Sequence, residues 1–552
     1  MTTVSLPGSE EGKARQPLRR RLFTGCLWLA GGIVALVLLA ALTGVVLWRT
    51  GRVSLWFAGS QSSKTESVAP TDRPWPPPGT PAGQEPEDRW PGPTLDASRM
   101  LDRAAFFLRT NVWRVDLAFT EQEWRDLQPT GHTPSVDFNA PDGKFPLRND
   151  AAPRNGLAGV MGLGQPWSKG RVTVGGVTFE STSVRLKGNG TFLNSFTALK
   201  KPFKVDLARG HAGRGLAGNA VLNLNNLVSD FSSMSDAMGY RMYREAGVPS
   251  PRTAYARVRL GIGDRYRHRP LGLYVLVENL DEGWMAEAFR GKDAALFKPV
   301  TYELFRDLGT NWSAYERIYD PKTRATDAHK ARLMEAARLV TSATDAEFAV
   351  QAAEYFDFVE VARFVAVTAA ISSYDGFLYN GQNFMMYLDG PRGRFGFVPW
   401  DLDQAWGEFP IVGTVKGREQ ASIERPWVAD HRLLERLFAT ESFRQVYRAE
   451  LERIVRDMFV PTRLRGEVRE LAALVRPTVA EESDYRVSRF EQAVAETWEE
   501  DGPEPRIDDP FRPVHRMHRF IVRRHASLEA QLAGREKGVV FEKRMMFGEE
   551  PR

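Results

Sequence analysis

From Leu22 to Trp48 the chain runs for 27 residues without a single charge. As a helix that stretch is about 40 Å long, more than the roughly 30 Å of a bilayer's hydrocarbon layer. The rest of the molecule must therefore be arranged around a membrane-spanning segment. The apolar core of a removable secretion signal is usually only about 7 to 15 residues long, so the run is expected to be a retained anchor. Trp28 and Trp48 lie near its two ends, where indole rings favour the membrane interface. Lys13, Arg15, Arg19, Arg20 and Arg21 precede the span and only Arg49 and Arg52 follow closely. This imbalance puts the N-terminus in the cytoplasm and everything beyond residue 50 outside it.

The same charges dispose of another reading. The 552-residue chain has a formal charge of +5 and an isoelectric point near 9.1, which invites a nucleic-acid partner. Residues 1–21 are net basic by three, Arg49 and Arg52 bring two more, and the other 500 or so residues sum to zero. No basic groove for DNA or RNA is expected. A composition 43% hydrophobic and 26% charged belongs to a folded chain, not to a disordered or collagen-like one. The single cysteine, Cys26, lies inside the span, which excludes intrachain disulfides and cysteine zinc sites. Residues 58–98 hold nine prolines, Pro76, Pro77 and Pro78 among them, and read as a semi-extended spacer.

The expected domain order is a basic cytoplasmic segment at 1–21, the span at 22–48, a Pro-rich linker at 49–98, a β-rich lobe at 99–298, a helical lobe at 299–540 and a tail at 541–552. In the β-rich lobe, strands are expected at 112–118, 172–174 and 177–179 across the Gly175-Gly176 turn, and at 184–186, 203–207 and 221–224. Two more, 253–260 and 273–278, are separated by the turn-rich stretch 261–269. Thr120 opens a short helix, and residues 130–170 form a loop-heavy insertion. Met234, Met238, Met242 and Ala246 recur every four residues and predict a helix from about Ser229 to Ala246. Later helices are expected at 328–341, 346–373, 431–458, 462–498 and 514–534, with a strand pair at 383–388 and 395–399. The fold class is α+β, a β-rich lobe joined to a helical one.

Acidic and amide residues crowd between 374 and 403. Asp375 follows the apolar helix, Asn383 opens a strand, and Asp401 and Asp403 close its partner, two apart and so on one face if extended. Oxygen donors from two elements suit Mg²⁺, which takes one or two carboxylates and leaves its other positions to water and phosphate. In the β-rich lobe, Gly188-Asn189-Gly190 is a turn whose amides can face phosphate, and Lys204 lies on a neighbouring strand. The glycines at 213, 215 and 218 precede a strand, so they are not a dinucleotide fingerprint. Nucleophile-elbow, Walker and zinc-protease motifs are absent. His515, His518 and His525 are expected on the surface of the last helix.

In order, Val184 to Thr191, Lys201 to Asp206, Leu222 to Asn226, the helix ending at Glu245, Ala246 to Arg252, Gly272 to Glu278, Leu296 to Lys298, Tyr374 to Gly376, Asn383 and Pro399 to Gln404 resemble the spore coat protein H (CotH) kinase family. The resemblance covers roughly residues 110–460. It implies a distant, two-lobed protein-kinase-like fold that binds ATP and Mg²⁺ and phosphorylates Ser or Thr of a protein substrate. On this resemblance Gly188, Asn189 and Gly190 would cover the phosphates, and Lys204 would contact them with Glu245 or Asp236 as its partner. The strand ending at Glu278 would meet adenine. Asp375 would accept the acceptor's proton, and Asn383, Asp403 and Asp401 would hold metal, with Asp403 favoured over Asp401. One departure is plain: seven residues separate Asp375 from Asn383, against four in ordinary kinases. Two other readings accompany this one. The first is a surface binding or adhesion module that uses the fold without catalysis, motivated by the exported topology; the second is a metal-dependent hydrolase built on the same acids.

Overall fold

Alternating apolar side chains between Val112 and Glu278 close into a barrel. The computed structural model describes residues 93–95, 102–131, 155–156, 159, 162–195, 198–290, 293–390, 393–498 and 514–542. Within them, seven strands run β1 (Val112–Phe119), β2 (Trp167–Val174), β3 (Val177–Leu186), β4 (Phe203–Asp206), β5 (Val221–Asn225), β6 (Thr253–Ile262) and β7 (Tyr266–Glu278). Their order around the barrel is β1-β2-β3-β4-β5-β7-β6. Every pairing is antiparallel except the seam, where β6 lies parallel to β1. Val184, Leu186, Phe203, Val205, Leu222 and Leu224 fill the interior, so the residues between them face outwards.

The glycine pair predicted as a hairpin turn is one. Gly175 and Gly176 sit at φ +54° and +93°, and β2 and β3 pair on either side of them. The expected gap at 261–269 is smaller than the sequence implies, because the pairing carries on to Ile262↔Tyr266, with Tyr266 fully buried. Polar His268 and Arg269 lie in a strand nonetheless.

Helix α1 (Ser235–Ala246) leaves the barrel between β5 and β6. It starts six residues later than the methionine spacing implies. Asp230 accounts for the delay: its carboxylate accepts from the amides of Ser233 (2.9 Å) and Ser235 (2.8 Å), holding a turn in front of the helix. A three-stranded antiparallel sheet comes next, β8 (Ala295–Phe297), β9 (Phe384–Leu388) and β10 (Phe395–Pro399), in the order β8-β9-β10. Around it stand α2 (Phe358–Ala370), α3 (Glu441–Asp457), α4 (Pro461–Val479), α5 (Asp484–Ala493) and α6 (Met517–Leu532).

Three predicted helices are each two. The run 346–373 breaks where Asp357 caps α2 by accepting from the Glu360 amide at 3.3 Å. The run 431–458 breaks at Thr440, and 462–498 breaks where Ser483 caps α5. Asp357 and Ser483 accept from amides at a helix start, and the Thr440 hydroxyl donates to the Arg436 carbonyl at 3.0 Å at the end of the helix before it, none of which hydrophobic periodicity registers. The histidines also need correcting: His518 is fully buried, accepting at Nδ1 from Arg465 Nε at 3.2 Å.

The described part is mixed α+β. The membrane span, most of the linker and the middle of the 130–170 insertion lie outside the described residues, among which no helix is long and apolar enough to cross a membrane.

Candidate functional site

The site is assembled where α1 packs on the loop after β10. Gly239 on α1 permits the approach, since a Cβ there would lie 2.8 Å from Leu402 Cδ1. Three hydrogen bonds then fix the loop. Asp236 accepts from the Leu402 amide at 2.9 Å, the Tyr240 hydroxyl accepts from the Asp401 amide at 2.8 Å, and Trp406 Nε1 donates to the Ser235 carbonyl at 3.2 Å. Asp401 is held at φ +57° and Trp406 at +61°. Aspartate tolerates this left-handed region but an indole rarely does, and such backbone persists only where its surroundings enforce it.

The carboxylates this creates disturb one another. Asp403 is buried, its carboxylate has no hydrogen-bond partner among the described residues, and its pKa is driven well above the usual range, by burial first and then by Asp401, Asp236 and Asp375. Burial and the Asp401 charge push Asp236 to about 7, against the opposing hydrogen bonds from Leu402 and Asn225. Asp375 reaches about 7 for the same leading cause, although a hydrogen bond from Asn380 works the other way. A cluster of acids in this state lacks positive charge.

One cation does face it, and it is not the predicted lysine. Lys187, half-buried directly after β3, donates to Asn225 Oδ1 and lies 5.7 Å from the Trp400 ring centroid. Burial lowers its pKa, while Asp401, Asp236 and Asp403 oppose that fall. Lys204 points into a different environment. Its Nζ donates to Asn279 Oδ1 at 3.3 Å, and burial beside Arg185, Lys187, Lys298 and Lys322 brings it down to about 7. No carboxylate pairs with it among the described residues.

The other predicted residues divide. Asp375, Asp401 and Asp403 come together, and Asn383 Nδ2 donates to the Asp375 carbonyl at 2.8 Å from a backbone at φ +57°. Gly188, at φ +81°, accepts from Gln165 Nε2 at 3.2 Å, and Gly190 opens a five-residue helix behind Asn189. Glu245 is elsewhere: it binds Arg241 at 2.6 Å and Arg463 at 2.7 Å. The acid facing the site from α1 is Asp236, nine positions earlier on the helix. Glu278 is taken up as well. Its amide donates to the Arg252 carbonyl at 3.0 Å and its buried carboxylate grips the Arg252 guanidinium at 2.5 Å. An adenine edge would find that donor already used.

Two residues escaped the sequence reading. Lys187 stands immediately before the Gly188 turn, and only the curl of β3 towards Trp400 reveals its neighbours. Asn380 donates from Nδ2 to the Asp375 carboxylate, and its Oδ1 is buried without a partner. Its signal was present, because four residues separate it from Asp375, the usual kinase spacing that Asn383 lacks.

No three described His, Cys, Asp or Glu side chains converge tightly enough to enclose a metal ion by themselves. A hard cation that keeps water or phosphate needs fewer. The donor set fits such a cation: oxygen ligands only, Asp403 without a hydrogen bond and an orphan amide oxygen on Asn380.

Fold and site define an α+β protein in which a cluster of acids, Asp236, Asp401 and Asp403 among them, faces Lys187 beside a closed barrel. The family model described as CotH kinase protein matches residues 184–528, and the chain belongs to that family. It is similar to the inner spore coat protein H of Bacillus subtilis (strain 168), with 24% identity over 285 residues, 51% of this chain and 74% of that protein. The match runs past residue 460 to Leu528, so α4, α5 and most of α6 belong to the family domain.

Proposed function

We propose that the chain is a membrane-anchored CotH-type atypical kinase that transfers the γ-phosphoryl group of ATP to Ser or Thr of a protein substrate with Mg²⁺. The observation that carries this reading is the convergence of Asp236, Asp401 and Asp403 on Lys187, with Asp375, held by Asn380, close enough to disturb Asp403.

Phosphoryl transfer asks mainly for positioning and charge neutralisation. Magnesium, when bound, neutralises phosphate oxygens, and Asp403, Asp401 and the amide oxygens of Asn380 and Asn383 are the groups that would hold it. Lys204, among cations and without a carboxylate, binds the phosphate chain. Lys187 tempers the repulsion among the acids. Asp375 takes the proton of the acceptor hydroxyl on its carboxylate while Asn380 fixes one of its oxygens. A carboxyl near 7 is close to the ambient pH, where a general base works best.

The protein, incubated with labelled ATP, Mg²⁺ and candidate acceptors, should transfer label. Mg·ATP should raise its melting temperature by mass action, and Asp403→Ala should lose both effects. Neither label transfer nor stabilisation in the wild type would leave the non-catalytic binding module as the better reading.

A further inference from the structure

Arginines in the described residues commonly meet a carboxylate: Arg109, Arg241, Arg252, Arg257 and Arg463 each lie within salt-bridge distance of one. One face of the barrel breaks the pattern. The register Trp167↔Arg185↔Lys204↔Asn223 runs straight across β2, β3, β4 and β5. Directly opposed residues point the same way, and their neighbours along each strand fill the barrel interior, so this row lies on the outer face. Two residues further along, Lys169 stands opposite Ser183 and donates to its hydroxyl at 3.0 Å.

Trp167 is flanked by two guanidiniums. Arg185 lies 5.2 Å from its ring centroid and Arg209 4.7 Å. Stacking on an indole fixes a guanidinium without neutralising it, and although Arg185 donates from Nη1 to the Leu186 carbonyl at 3.3 Å and to Gln165 Oε1 at 3.5 Å, neither these bonds nor the ring supplies a counter-charge. Arg185, Lys204 and Arg209 have no carboxylate partner among the described residues. Asp206, in the Lys169 row, is occupied by the amides of Ala208 and Arg209. From the level of Lys187 to that row β3 advances four residues, about 13 Å, too long a stripe for one phosphate group.

We infer that the outer part of this face, with Arg185 and Arg209 against Trp167 and with Lys169 beside them, docks an acidic segment of the protein acceptor. The kinase would thereby select Ser or Thr in carboxylate-rich surroundings. The inference rests on the kinase reading for the word acceptor, but the docking itself does not need catalysis. The stripe begins beside the acid cluster and ends on exposed Arg209 and Lys169, so a bound segment lies along the route to Asp375.

The test is fluorescence anisotropy with the full chain in detergent micelles and two labelled Ser-containing peptides, one rich in Glu and one rich in Lys, at low salt, with and without a saturating non-hydrolysable ATP analogue and Mg²⁺. The Glu-rich peptide should bind in both conditions, and raising the salt to about 0.5 M should abolish binding. The double variant Arg209→Glu with Lys169→Glu should weaken binding roughly tenfold, with an unchanged melting temperature and an unchanged nucleotide shift. Arg209→Gln should fall between. Equal or tighter binding of the Lys-rich peptide, or indifference to the charge reversals, overturns the inference. So does displacement of the peptide by the analogue, because the row would then belong to the nucleotide. Arg209-dependent peptide binding without any nucleotide shift would uphold the docking face and sink the kinase.

Discussion

Lys187 and His518 show how far a single side chain departs from what its position in the sequence implies. Replacing Lys187 with Met leaves Asp236, Asp401 and Asp403 without the cation that faces them. The expected outcome is a nucleotide-dependent thermal shift reduced to near zero in Lys187→Met and largely kept in Lys187→Arg, read in Mg²⁺ at neutral pH. His518 tests the core instead. Burial, with Arg465 and Arg469 nearby, lowers its pKa from 6.5 to about 4. The unfolded chain therefore binds the proton first, so the contribution of His518 is complete above about pH 6.5 and drains away as the pH falls towards 4. At most about 3 kcal/mol is at stake. Chemical denaturation at pH 7 and pH 4.5 should show a smaller acid loss in His518→Gln than in the wild type. Asp375, Asp401 and Asp403 were legible because acids beside apolar strands are conspicuous. Lys187 was not, since nothing in the letters Leu-Lys-Gly-Asn says which way the chain turns after β3.

Helix α1 is where local propensity yields to packing. Gly239 costs a helix interior about 1 kcal/mol relative to alanine, yet it lets Leu402 approach and thereby places the Asp401 and Asp403 backbone. Gly239→Val should destabilise the fold by about 1–3 kcal/mol and lose Mg·ATP stabilisation out of proportion to that change, measured by paired melts with and without ligand. The apolar period of α1 predicted its existence and its buried face. Its start depended on Asp230, and its acidic partner for the site depended on helix rotation, which is why Glu245 and Asp236 stood equal in the sequence. The broken helices carry the same lesson. Asp357, Thr440 and Ser483 are ordinary polar letters until their oxygens are seen at a helix end. Arg524 is a further case: in a segment that reads as basic surface it is fully buried, donating to the carbonyls of Ala369 (2.9 Å) and Ala421 (2.6 Å) and so closing the end of α2 that leads to Asp375.

Across the whole molecule the open matter of function is an address. On the proposed anchoring, the charges around residues 22–48 orient the chain with its barrel and helical lobe away from the cytoplasm, where ATP is scarce. Reporter fusions after residue 60 and at the C-terminus should both score as extracytoplasmic; a cytoplasmic signal from either would reverse the orientation. The α+β class was legible from composition and periodicity. The barrel's closure was not, because its parallel seam joins β1 to a strand more than a hundred residues away, and separation of that kind leaves no local trace.

Residues of α4 and α5, and of the turn between them, reach back to the barrel and α1. Glu467 binds Arg109 at 2.5 Å and also Arg241, Glu482 accepts from Lys200 at 2.6 Å and from the Leu273 amide at 2.9 Å, and Arg486 donates to the Asp230 carbonyl at 2.8 Å. Barrel and α1 are thus completed by residues synthesised several hundred positions later. These contacts cannot form until residues 467–486 have been synthesised, so the packing of α4 and α5 on the barrel is a late step of folding.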